Sequence, residues 1–383
     1  MTQPRIYLDN AASSPVSPLA LEAMWPFFRA DFGNPSAIHS YGQAAKKALE
    51  EARRKVALAL GAKSSEIFFV SGGTESDNWA IQSAVKMAKA KGRHIVTSAT
   101  EHNAVIKPLE ELVGQGYAVT FLRPDKLGRI DPSALEAALR DDTILVSLAL
   151  ANNVVGTILD IPALVKVAKK KKVLFHTDAV QAVGHIPVNV RDLGVDLLSI
   201  SGHKFHGPKG VGVLFAKLPR LPHPYIFGGG QERGGRSGTE NVPGAVGLAV
   251  ALEEAVREFR SIDALIALRD RLIEGTLKIA GAELTGDPVN RLPQIASFVF
   301  SALKSSVHLI NAMNEVGLCA SSGSACSAAA NEASHVLMAM GYPNNLARAS
   351  LRLSLSRYNT PKEIQTVIEL LPSLVNKARE KGR

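Results

Sequence analysis

The sequence predicts an α/β fold: a mostly parallel, mixed seven-stranded sheet with helices on both faces, then a smaller α+β domain. Three observations predict it. Short apolar, often β-branched runs alternate with longer stretches of helical period. Helix-length segments separate most of these runs, as parallel crossovers require. From about residue 243 the alternation gives way to long helices and scattered strands.

The strand candidates are "EIFFV" (66–70), "HIVTS" (94–98), "AVTFL" (118–122), "TILVSLAL" (143–150), "VLFHT" (173–177), "DLLSIS" (196–201) and "GVLFA" (212–216). Their near-continuous apolar character is that of strands covered on both faces. Helical period occupies 42–60, 75–91, 103–114, 133–140 and 161–171. Strands 196–201 and 212–216 are joined by a short loop, so they either pair antiparallel or are not neighbours. Further on, helices at 243–259 and 262–280 precede "ASFVF", a helix near 305–316, "LRLSLS" and a final helix at 361–380. The expected division is a large α/β domain of residues 16–257. Residues 1–15 and 258–383 would form the small α+β domain, which includes the low-complexity stretch "CASSGSACSAAA" (319–330).

No apolar stretch reaches membrane-spanning length, and "MTQPRIYLDN" lacks the regions of a signal peptide. Two cysteines among 383 residues exclude a disulfide scaffold and suit a reducing cytoplasm. The net charge of +9 is dispersed over helices such as "AKKALEEARRK", where acids and bases alternate. The densest run, Lys169–Lys172, reads as a solvated helix end favoured by the macrodipole. This distribution argues against nucleic acid as the main partner.

In open α/β sheets, ligands bind beyond the carboxyl ends of the strands, so the residues just past each strand are informative. There stand Ser71-Gly72-Gly73-Thr74-Glu75-Ser76, then Glu101-His102-Asn103, Asn152-Asn153, Asp178 with Gln181 a turn on, and His203-Lys204. Each has a structural reading. "GGTESD" could be a turn in which Thr74 caps a helix with Asp77 as its partner, although a glycine turn at a helix start is also a phosphate seat. Asp178 could cap a helix, and His102 could be a buried, satisfied imidazole. His203 and His206 lack a second cluster with metal-ligand spacing, so no metal is expected. Together the strand ends ask for less coincidence. A lysine at a sheet edge is a Schiff-base candidate when partly desolvated. With a phosphate cradle, a carboxylate at Asp178 to keep a pyridine nitrogen protonated and an imidazole at His102 to stack on the ring, the set suits pyridoxal phosphate.

The chain resembles a cysteine desulfurase of the class V aminotransferase family, of pyridoxal-phosphate fold type I, along its whole length. The stretches that carry the resemblance are "YLDNAASSP" (7–15), "FGNPSAIHSYG" (32–42), "SGGTESDN" (71–78), "TEHNAV" (100–105), "HTDAVQA" (176–182), "SGHKFHGPKG" (201–210), "GGGQERGGRSGTENV" (228–242), "SSGSACS" (321–327) and "LRLSLSRYNT" (351–360). The resemblance implies Lys204 as the cofactor lysine, His102 as the stacking histidine, Asp178 as the pyridinium partner and Gln181 as donor to the ring's phenolic oxygen. It implies that Gly73, Thr74, Ser201 and His203 hold the phosphate, with Thr239 supplied by the other subunit of a homodimer. Asn153 and Arg352 match the pair that grips the carboxylate of L-cysteine, a task a guanidinium fork suits.

A desulfurase also needs a thiol. Cys319, in "EVGLCAS", reads as a buried hydrophobe. Cys326, in "SSGSACSAAAN", has no large neighbours to anchor it in a core, which reads as a mobile loop, and it matches the family's sulfur-accepting cysteine. The long "SSGSACS" loop resembles the subgroup that donates sulfur directly to iron–sulfur scaffold proteins. The resemblance also meets departures. Val154 follows Asn152-Asn153 where the family often has Glu, Ala333 stands where proline is common, and glycine occupies "GGR" (234–236) where a larger apolar residue is usual. The alternatives are a selenocysteine lyase or an aminotransferase of the same fold, or, from a different class, a non-catalytic basic adaptor.

Overall fold

The computed structural model describes residues 5–217, 223–259, 262–322 and 332–381. Its strands are β1 (Ile6–Tyr7), β2 (Ile67–Val70), β3 (His94–Ser98), β4 (Ala118–Leu122), β5 (Thr143–Ser147), β6 (Leu174–Asp178), β7 (Leu197–Ser201), β8 (Gly212–Ala216), β9 (Ala282–Leu284), β10 (Ile295–Phe300), β11 (Leu318–Cys319) and β12 (Ser350–Ser354). Seven of them form one sheet in the order β2-β8-β7-β6-β5-β3-β4. The pairs β7–β6, β6–β5, β5–β3 and β3–β4 are parallel, and β8 runs antiparallel to both its neighbours. The short connection after β7 therefore does give an antiparallel pair, with Ser201 opposite Gly212.

Every residue of β2, β3, β5, β6, β7 and β8 is buried, as strands covered on both faces should be. The edge strand β4 carries partly exposed residues. Helices on the two faces pack into two apolar clusters, one around Leu49, Val56 and Phe175, the other around Trp79, Ile81 and Leu109. Side chains cap these helices where the sequence offers them: Asp131, Asp160 and Asn241 each accept a first-turn N–H, each with proline near the first helical position. The lysine run does end a helix, with Lys169 and Lys170 in the last turn of Ile161–Lys170; Lys170 pairs with Glu136 and Lys171 with Asp141.

The C-terminal part builds a second sheet, β12-β10-β9, antiparallel throughout, with its own core around Phe298, Leu351 and Leu371. The N-terminal segment forms a separate parallel pair, β1–β11, and meets β12 at the bridge between Asp9 and Ser354. Three details differ from the sequence reading. Strand 143–150 ends at Ser147; beyond it Leu148 and Leu150 still donate to the carbonyls of His176 and Asp178 (3.1 and 2.8 Å), so the chain follows β6 as it turns away. The helix read as 75–91 runs from Gly73 to Met87, and neither Thr74 nor Asp77 caps it. Asp77 faces the sheet, 1% exposed, and it is Glu75 that accepts the Ser71 N–H (2.8 Å). Cys319 is half-buried in β11 rather than a core residue.

Candidate functional site

The carboxyl ends of β3, β6 and β7 lie on one edge of the sheet and deliver His102, Asp178 and Lys204. Lys204 follows β7 in a single 3-10 turn, Gly202–Lys204. Its Nζ donates to the carbonyls of Ala11 and Ala12 (2.8 and 2.9 Å). Gln181 Nε2 donates to the same Ala11 carbonyl (2.8 Å), while its Oε1 is buried with no hydrogen-bond partner among the described residues. Lysine and glutamine thus converge on one backbone oxygen of the "DNAASSP" segment. That segment is tied down along its length: Ser14 Oγ donates to the His203 carbonyl (2.8 Å), and His203 Nδ1 lies 3.3 Å from Ser13 Oγ.

Asp178 closes β6, 8% exposed, and accepts the Val180 N–H at Oδ1 (2.8 Å). Burial pushes its carboxyl above the usual range, against the Val180 N–H and the charges of His102 and Lys204. Two more carboxyls are buried nearby. Glu101 is pushed up to about 8, chiefly by burial, although Ala149 N–H binds its Oε1 (3.1 Å). Asp77 is raised by burial and then by Asp178. Three acids so close cannot all ionise without a cation beside them.

His102 caps the helix Asn103–Gly114, its Nδ1 accepting the Ala104 N–H at 3.1 Å. The satisfied-imidazole reading and the site reading of His102 are therefore compatible. A ring whose Nδ1 accepts carries any neutral proton on Nε2. Burial, then Lys204 and His335, hold it below the ordinary histidine range against the pull of Asp178. His203 is pushed down to about 4 by burial and by Lys204 and Lys209.

The glycine turn after β2 is tight by construction. A Cβ on Gly73 would stand 2.8 Å from Val180 Cγ2 and 3.5 Å from Ser201 Cβ, so a larger residue would push the helix start away from β6 and β7. Thr74 lies in the first turn of that helix, where backbone N–H groups are unpaired by the helix itself. Arg352, on β12 and 1% exposed, donates from Nη1 to the Asn153 carbonyl (2.8 Å) and from Nη2 to Asp9 Oδ1 (2.9 Å). Asn153 and Arg352 are thus brought together, but through the asparagine's backbone and with Asp9 on the fork. Thr239 is exposed in the loop that Arg236 ties to the glycine-turn helix through Glu75 (2.7 Å). Cys326 lies outside the described residues.

The sequence reading gave no role to Asp9, Ala11, Ala12, His176 or His335. His176 was findable: two before Asp178 on a strand, it must share its face. It bridges Ser147 Oγ (2.8 Å) and Ser199 Oγ (3.0 Å) beneath the site, and burial pushes it down to about 3. His335 and the Ala11 carbonyl carried no local signal.

The aminotransferase class-V family model matches residues 6–367. This chain belongs to that family. A curated relative, the cysteine desulfurase IscS of Methanosarcina thermophila, is 48% identical over 98% of this chain and 93% of its own length. A solved "NifS-like protein" superposes with a TM-score of 0.91 at 38% identity, covering 97% of this chain and 99% of that one. A structure titled "SspA in complex with cysteine" matches at 0.80 and 36% identity over 92% of this chain and 99% of that one. Within the class-V aminotransferases this chain is a cysteine desulfurase. Among the described residues no helix is long and apolar enough to cross a membrane.

Proposed function

We propose that this desulfurase uses pyridoxal 5'-phosphate to convert L-cysteine to L-alanine, taking the sulfur on Cys326 as a persulfide and passing it to an acceptor protein. The observation that carries the reading is the convergence of Lys204 and Gln181 on the Ala11 carbonyl, beside the buried Asp178. The residues present fit the coenzyme. Gln181 has an unpaired buried oxygen, Asp178 is a carboxyl that needs a cation, and the Gly73–Thr74 turn with Ser201 and His203 offers donors for a phosphate.

Bound there, the coenzyme supplies an electron sink at the substrate's α-carbon and a carbonyl for Lys204 to hold. Asp178 would hold the ring nitrogen in its protonated form. His102, held neutral by its capping bond and by burial, covers the ring's face without setting one cation on another. As a free amine beside the bound substrate, Lys204 would be the base that moves the α-proton. Arg352 and Asn153 orient the substrate carboxylate, with Asp9 exchanging its place on the guanidinium. The Cys326 thiolate attacks the substrate sulfur; an S–S bond forms, the Cβ–S bond breaks, and its electrons and a proton leave the β-carbon as the methyl of alanine.

In this reading residues 16–257 are the large domain and residues 1–15 with 258–383 the small one. A homodimer completes the sites with Thr239 of the partner subunit. Support comes from Trp25, Phe28, Phe32, Ile38 and Tyr41, large apolar side chains exposed on one short stretch of chain. The acceptor is an iron–sulfur scaffold or a thiolation partner, and the reactive thiol suits a reducing cytoplasm. Purified protein given L-cysteine and a reductant should turn over to equal sulfide and alanine, and Cys326→Ala should abolish both. Cysteine turnover untouched by Cys326→Ala would favour an aminotransferase instead.

A further inference from the structure

The turn Ala99–His102 is held by three donors from elsewhere in the chain. Ala149 N–H binds Glu101 Oε1 (3.1 Å), and Asn152 Nδ2 binds the Thr100 carbonyl (3.0 Å). The third comes from the C-terminal part: His335 Nε2 lies 3.0 Å from the Glu101 carbonyl. A carbonyl only accepts, so Nε2 carries the proton and the anchor survives whether or not Nδ1 is also protonated. His335 opens the helix His335–Ala339, whose buried Val336 and Leu337 share an apolar cluster with Val154 and Val155. Asn152 ties the same stretch together, its Oδ1 accepting the N–H groups of Val154 and Val155 (2.9 and 3.1 Å). One turn therefore joins the His102 ring, the strand-end loop whose Asn153 carbonyl holds Arg352, and the helix that begins at His335.

We propose that His335 is a positioning residue: by donating to the Glu101 carbonyl it fixes the turn that sets the His102 ring. This rests on the reading of His102 as the ring that covers the coenzyme. The apolar cluster places the helix; the hydrogen bond passes that placement to the turn. Two departures from the usual family pattern, Val154 and Ala333, pack in this cluster. They put apolar contacts under the anchor where an acid and a proline are usual.

The test uses His335→Ala, which removes the donor, and His335→Gln, whose amide N–H can reach the same carbonyl. Amide exchange of residues 99–102 in the coenzyme-free chain should quicken about ten-fold in the alanine variant and return to within about two-fold of wild type in the glutamine variant. With coenzyme added, the dissociation constant should rise about five- to ten-fold in His335→Ala, the visible circular dichroism of the bound coenzyme should fall, and His335→Gln should restore both. Unchanged exchange in the alanine variant overturns the proposal. So does a glutamine variant that melts with wild type yet restores nothing, because the imidazole's charge would then be the active feature. Wild-type protein that takes up no coenzyme would sink the coenzyme reading while leaving the exchange result to decide on the anchor.

Discussion

Two buried charged clusters in this molecule are wired in opposite ways. Around Arg53 and Glu232, 3% and 6% exposed, each charge meets its complement. Nη1 and Nη2 of Arg53 donate to the two carboxylate oxygens (2.7 and 2.9 Å), Nη1 also to the Ile67 carbonyl, and Nε to Glu50; Phe69 N–H completes the set on Glu232. At the carboxyl edge of the sheet, two buried acids and Gln181 retain oxygens without hydrogen bonds among the described residues: Asp77 Oδ1, Glu101 Oε2 and Gln181 Oε1. A closed network rigidifies; here it holds the 225–238 loop against β2. An open one is destabilising by itself and persists where a ligand completes it. The contrast separates a structural ion pair from a site without appeal to motif.

The largest effect should come from the open cluster. Lys204→Ala should lower desulfuration by about 10²–10⁴-fold or more, the range of one acid–base group, and remove the yellow absorbance, with little change in melting temperature. A comparable loss of stability would mean that Lys204 is structural and the two clusters are alike.

Next comes the closed cluster. Glu232→Ala leaves the buried Arg53 with only the exposed Glu50 as an ionic partner and should cost about 3–5 kcal/mol in denaturant unfolding. Replacing both partners by apolar residues of similar size should cost less than either single change. Should the double variant be the worse, the pair would be contributing more than mutual compensation.

A smaller effect sharpens the comparison through pH. The folded Glu101 carboxyl titrates at about 8, above its unfolded value, so as pH rises the unfolded chain loses its proton first. Stability from this group is intact below the unfolded value and is lost progressively as pH climbs to about 8. Glu101→Gln should therefore gain melting temperature over wild type at pH 8 and show little difference at pH 4. An equal gap at both would show that Glu101 is not held protonated.

The smallest concerns the side-chain amide of Gln181, whose Nε2 donates to the Ala11 carbonyl. Gln181→Glu should weaken coenzyme affinity several-fold by removing the Nε2 donor that the coenzyme reading directs to the ring's phenolic oxygen, while leaving the fold's melting temperature nearly unchanged. Unaltered affinity would place the ring elsewhere.

Much of this was legible in the chain. The β3, β4 and β8 boundaries match the sequence reading residue for residue, because each is a short apolar run between turn residues. The helices Pro18–Met24 and Pro26–Arg29 were missed: both are short, and with Leu19, Leu21 and Phe28 exposed only Ala20 and Met24 mark a buried face. The glycine turn was visible as a motif, but the sequence left its capping by Thr74 and Asp77 open, since whether Asp77 turns back to the backbone or in toward β6 depends on what lies beneath the helix. That the strand-end residues gather on one edge was legible because a parallel sheet brings its carboxyl ends together by geometry alone.

The sequence by itself determined the layered α/β architecture and the inventory of reactive groups, since periodicity, turn chemistry and side-chain type are local properties. Tertiary structure decided who meets whom. Lys204 finds Ala11 across 193 positions, and Arg352 finds Asp9 across 343. The upward shift of Glu101, the downward shift of His102 and the approach of His335 exist only once water has been removed from around them, because desolvation and Coulomb terms depend on distance in space rather than along the chain.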